Sequence, residues 1–162
     1  MPARTLKLLL VGALLVLAAA LGWRALRQTQ EPSRLAFFYD QSLRKLFTAP
    51  RTSVPPIRGL DNDEPDAVRA VVISRTGKPA DKSSWAIAYL EQYSPELKRQ
   101  MELAQQQGAP PAMGRSEAQQ HRFVRRLTDP GWFPLNTPEA EAILTGWATP
   151  GPDGVTPVIC TP

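Results

Sequence analysis

The chain of 162 residues is 43% hydrophobic, 21% charged and 7% aromatic, with 17 prolines, one cysteine and one histidine. That length sets one domain plus an appendage, and the apolar content excludes a disordered chain. A single cysteine excludes an internal disulfide framework and a cysteine-based zinc site, a single histidine excludes a histidine-rich metal centre, and so many prolines argue against a helical bundle.

Arg4 and Lys7 precede an uncharged run of 16 residues, Leu8 to Trp23. Sixteen helical residues rise about 24 Å, short of the roughly 30 Å hydrocarbon core. Leu6 to Leu26 supplies 21 residues once Lys7 and Arg24 snorkel to the head groups, with Trp23 at an interface. This predicts a transmembrane anchor within residues 1–27, N-terminus cytoplasmic, followed by a linker over 28–34 and an exported domain over 35–162. A cleaved signal peptide competes with that reading: the start is basic, Leu8 to Leu17 is apolar, and Ala18-Ala19-Ala20 offers small residues for cleavage. The apolar run continues through Leu21, Gly22 and Trp23, which favours the anchor. A buried core helix is the third reading of this segment, and either of the first two exports the rest of the chain.

The whole chain carries a formal charge of +4. Arg4 and Lys7 belong to the first 23 residues, so the remainder holds 17 basic against 15 acidic residues. Nucleic-acid binding needs a larger and clustered basic excess. No nucleic-acid partner is expected.

In the exported part, Leu35 to Tyr39 and Leu46 to Thr48 predict a β-hairpin with a longer loop. Pro50, Pro55 and Pro56 close this unit, and Asp61 to Asp66 forms an acidic loop. Val68 to Ser74 is β-branched and nearly all apolar, which predicts a strand buried on both faces. Trp85 to Tyr93 reads as a strand with Trp85, Ile87 and Tyr89 on one face. Ser94, Pro95 and Glu96 are N-cap, first-turn and dipole signals for a helix to about Gln107, stopped by Gly108. Over residues 116–128 two patterns compete: a capping box of Ser116 with Gln119, and an edge strand alternating through Arg122 to Leu127. Thr137-Pro138-Glu139 starts a helix to about Trp147, and Val155 to Cys160 predicts a terminal strand. Strand runs mixed with helices predict an α+β domain, a mostly antiparallel sheet with two or three short helices.

The segments FFYD, LFTAP, VPPI, IAYLEQYSPE and the closing PDG…PVICTP, spread over residues 35–162, carry a resemblance. In them the chain resembles a group of small, N-terminally anchored bacterial exported proteins. The resemblance implies export and carries over no catalytic residue.

Asp61, Asp63, Glu64 and Asp66 place several oxygen ligands close together, as a hard cation wants. Pro65 and Asp66 stand where an EF-hand loop needs an oxygen ligand and a glycine, so a solvated acidic loop is expected and no metal. His121 and Cys160 lie on separate elements without a nucleophile motif, and Cys160 reads as a small buried hydrophobe, with an intermolecular disulfide as the alternative. Arg122, Arg125 and Arg126 form the densest basic cluster. Their expected role is either a solvated edge or contact with anionic lipid head groups or an acidic partner. Trp132 and Phe133, between Pro130 and Pro134, read either as core or as an exposed docking patch. These five residues are the candidate partner contacts, with no catalytic, cofactor or metal residue expected.

The resulting expectation is a non-enzymatic accessory or structural subunit: a single-pass protein whose exported domain packs on a larger membrane or envelope assembly. The alternatives are a cleaved, secreted or periplasmic binding domain acting alone and, third, an enzyme with a dispersed site.

Overall fold

The structure, a computed structural model, describes residues 34–61 and 63–162. The expected anchor (1–27) and the linker up to residue 33 lie outside the described residues. Among the described residues no helix is long and apolar enough to cross a membrane.

Arg34–Pro162 forms one compact α+β unit built on a seven-stranded sheet. Its strands are β1 (Leu35–Asp40), β2 (Lys45–Pro50), β3 (Ala67–Ser74), β4 (Trp85–Tyr93), β5 (Arg122–Arg125), β6 (Phe133–Pro134) and β7 (Val158–Ile159). The helices are α1 (Pro95–Gln107), α2 (Arg115–Gln120) and α3 (Pro138–Gly146). The order across the sheet is β2-β1-β3-β4-β5-β6, and every pairing is antiparallel. β1 pairs with the first residues of β3 and β7 with the last, so both share the edge that β4 leaves free.

Period-two alternation splits the hydrophobic residues between two faces. One face carries Phe37, Val68, Ala70, Val72, Leu90 and Cys160, with Tyr39, Leu46, Trp85, Ile87 and Trp132 packed around them. No helix contributes to that cluster. The opposite face holds two clusters under the helices. Tyr93 and Val54 meet Leu97 of α1 and Met113, while Val124 meets Ala140 and Ile143 of α3. The segregation follows from topology, because α1, α2 and α3 all pack back onto β4, β5 or β6.

The helix signals act as read for α1. Ser94 Oγ accepts from the Leu97 N–H at 3.1 Å, Pro95 occupies the first turn, and Gly108 ends the helix at φ 62°. Thr137 caps α3 in the same way, accepting from the Ala140 N–H. Four expectations are corrected. The register of β3 with β4 shifts between Val71 and Val72, leaving Ala88 as the extra residue of a bulge. Tyr89 therefore joins the helix-covered cluster instead of sharing a face with Trp85 and Ile87. Residues 116–128 hold both expected patterns in succession, α2 and then β5, but Gly114 is the N-cap of α2 and no capping box of Ser116 with Gln119 forms. β5 is not an edge, because the two-residue β6 pairs on its outer side. The terminal strand is shorter than read, though the Cys160 N–H still reaches the Val72 carbonyl at 2.8 Å.

Candidate functional site

The helix-free face is buried by the sheet itself. β1 and β5 are separated by β3 and β4, so in a flat sheet they would stand about 14 Å apart. Yet Arg125 Nη2 of β5 donates to Gln41 Oε1, just past β1, at 2.7 Å. Twist and curl bring these opposite corners together over the apolar face. Gln41 is fixed at its other end, where Nε2 donates to the Asp66 carbonyl at 2.8 Å.

An open cleft of about 430 Å³ lies at this closure, lined by Tyr39, Gln41, Arg44, Arg125 and Leu127. The Arg125 guanidinium stands 4.9 Å from the centre of the Trp132 ring, a cation–π stack that also holds the indole against the apolar cluster. Arg125 Nε is buried without a hydrogen-bond partner. Neither Arg44 nor Arg125 makes an ion pair among the described residues. Arg44 closes the β1–β2 turn in the left-handed region, at φ 52°. Leu127 on the cleft wall and Leu43 in the adjoining turn are 46% and 45% exposed. Two guanidinium groups, a phenol, an amide and apolar margins form a set rich in hydrogen-bond donors. It suits a carboxylate-bearing apolar surface.

The five residues singled out from sequence divide between the two faces. Arg125 and Trp132 meet on the curled face, as described. Arg122 stacks on Tyr93 at 5.6 Å on the helix-covered face. Arg126 is exposed and donates from Nη2 to the Ala142 carbonyl of α3 at 3.2 Å. Phe133 packs beside the Val124 cluster. Alternation along β5 dictates this division, since Arg122 pairs with Tyr93 and Arg125 with Leu90.

Asp40, fully buried, accepts from the N–H groups of Leu60 and Leu43, each at 2.7 Å, and from Ser42 Oγ. The Leu60 bond, then the Leu43 bond, holds its carboxyl below the usual carboxylate range. It thereby ties the cleft-forming turn to the 57–60 segment.

In the acidic loop Asp63 pairs with Arg58, and Asp66 accepts from Ser42 Oγ. Among the described residues no three His, Cys, Asp or Glu side chains gather as a metal site. His121 is half-buried, with Nδ1 2.9 Å from Ser94 Oγ. Cys160 is 4% exposed in the helix-free cluster, and burial pushes its thiol pKa up. Gln41, Tyr39 and Arg44 were not singled out from sequence. Gln41 and Arg125 lie 84 residues apart, and no local pattern joins them.

No family model, curated protein or solved structure matches this chain.

Proposed function

We propose that the protein is a single-pass, membrane-anchored accessory subunit without a catalytic role. Residues 1–27 form the tether, and the exported 35–162 domain docks on a larger membrane or envelope protein. The Arg125–Trp132 stack at the open cleft carries this reading. Arginine and tryptophan dominate interface hot spots, and here they meet at a cleft whose wall holds exposed Leu127, with no acidic partner for Arg125 among the described residues. The partner this favours presents a carboxylate flanked by apolar side chains.

Alkaline carbonate washing of membranes, with mass analysis of the mature N-terminus, tests the tether. Full-length protein retained in the pellet is the expected result. A released species beginning at Leu21 would identify the first segment as a cleaved signal and favour a domain that acts alone.

A further inference from the structure

β3 separates two loops of opposite charge. Asp61, Asp63, Glu64 and Asp66 precede it, whereas Arg75, Lys78 and Lys82 follow it with one acid, Asp81. Eight strand residues hold these loops about 26 Å apart. β1 runs antiparallel to β3 with Asp40 opposite Ala67, so the chain enters the sheet at the basic end. Arg34 and Arg51 stand at that entry, joined by the bond from the Arg51 N–H to the Arg34 carbonyl at 2.8 Å. The Phe37 ring meets Trp85 edge-on at 5.3 Å, tying the start of β1 to the start of β4.

Arg75, Lys78 and Lys82 of this loop are exposed, as are Arg34 and Arg51 where β1 begins and β2 ends, and none of the five makes an ion pair among the described residues. Asp81 is occupied by capping, accepting from the Ser83 N–H and hydroxyl. Asp153 lies in the cleft beside Arg75. The basic loop is held in shape by Trp85, whose Nε1 donates to the Pro79 carbonyl at 2.9 Å while Lys82 stands over its ring.

We infer that this end of the domain docks on anionic lipid head groups. The inference rests on the tether proposed above, because the seven residues from Arg27 to Arg34 reach at most about 25 Å. That reach brings the domain to the bilayer surface, where each cation of the basic loop adds to the attraction within a Debye length. The opposite end offers no such excess of cations, because Asp61, Asp63, Glu64 and Asp66 offset Arg44, Lys45 and Arg58 there. Docking this way turns the Tyr39–Gln41–Arg44 cleft, which opens at the far end of β1, away from the bilayer and toward an exported partner.

Residues 34–162 suit the test, since the sheet and all three apolar clusters are complete within them. They are sedimented with vesicles of phosphatidylcholine alone or mixed equally with phosphatidylglycerol. Binding is expected only to the anionic vesicles, with release in high salt. Lys78→Gln with Lys82→Gln should weaken it about tenfold or more, whereas the charge-matched pair Lys45→Gln with Arg58→Gln at the other end should leave it nearly unchanged. Circular dichroism establishes that each variant is folded. Equal losses from the two pairs, equal binding to both vesicles, or no binding to the anionic ones would overturn the inference. Carbonate retention of the full chain without vesicle binding by the domain sinks the lipid surface and spares the tether. Carbonate release with vesicle binding does the reverse.

Discussion

Arg125 and Gln41 share a hydrogen bond across a face on which two further strands separate them. That bond requires the sheet to curl, and the curl explains how Val68, Val72 and Leu90 are fully buried on a face without helices. The same curl creates the cleft. Fold and candidate site thus have one cause.

The curled face predicts where a buried charge is least tolerated. Val72→Asp places a carboxylate in the apolar cluster with no partner, at a cost of several kcal/mol. Urea unfolding of residues 34–162 should show the variant unfolded or nearly so. A parent-like midpoint would mean that β3 is not the centre of the core.

Asp40 predicts an acid-labile component of stability. Its folded pKa lies below the ordinary carboxylate value, because backbone N–H groups of Leu60 and Leu43 stabilise the anion. A depressed carboxyl pKa contributes stability that is complete above the unfolded value and lost as pH falls through the folded one. Melting temperatures between pH 6 and pH 2 should therefore fall below about pH 4, and Asp40→Asn should remove this part of the slope. An unchanged slope in the variant would assign acid lability to other carboxyls.

Gly108 and Gly114 predict changes of opposite sign. Gly108 adopts φ 62° with nothing within 4 Å of an added Cβ, so Gly108→Ala costs backbone strain alone, about 1 kcal/mol. Gly114 caps α2 without a side-chain bond, so Gly114→Ser supplies one and stabilises by about 0.5 kcal/mol. Paired denaturation curves check both signs.

The limits of α1 and the place of β3 were legible in the sequence, whereas the Gly114 cap was not. Ser94-Pro95 and Gly108 bracket α1, and the β-branched Val68 to Ser74 marks β3, because each is set by residues adjacent in the chain. β4 was legible as a strand but not its bulge at Ala88, since nothing in Trp85 to Tyr93 announces where alternation resets. β6 is only two residues long and leaves no periodic trace. Arg125 and Trp132 stood out by residue type, but their separation from Arg122, Arg126 and Phe133 depends on which face each position of β5 and β6 takes. Gln41 and Arg44 have no signal at all without the curl.

Trp132 contributes to both packing and the candidate surface, so its truncation mixes two effects. Trp132→Ala should cost about 2 kcal/mol, less than for a fully buried tryptophan because the ring is only half-buried. Arg125→Lys keeps the charge but not the fork that reaches Gln41, and it should loosen the turn without unfolding the domain. A denaturation midpoint unchanged in Trp132→Ala would mean that the indole does not pack on the cluster.

The rim of the cleft separates binding from stability most directly. Arg44→Gly removes a cation while relieving a left-handed backbone, and Leu127→Ser changes an exposed side chain, so the double variant should melt like the parent. The deciding measurement is co-purification of full-length parent and double variant from mild detergent, read against their melting temperatures. The account predicts a stoichiometric membrane or envelope partner with the parent and at least a tenfold loss of it with the variant at equal stability. Equal recovery of that partner by both proteins would contradict docking at the Arg125–Trp132 cleft.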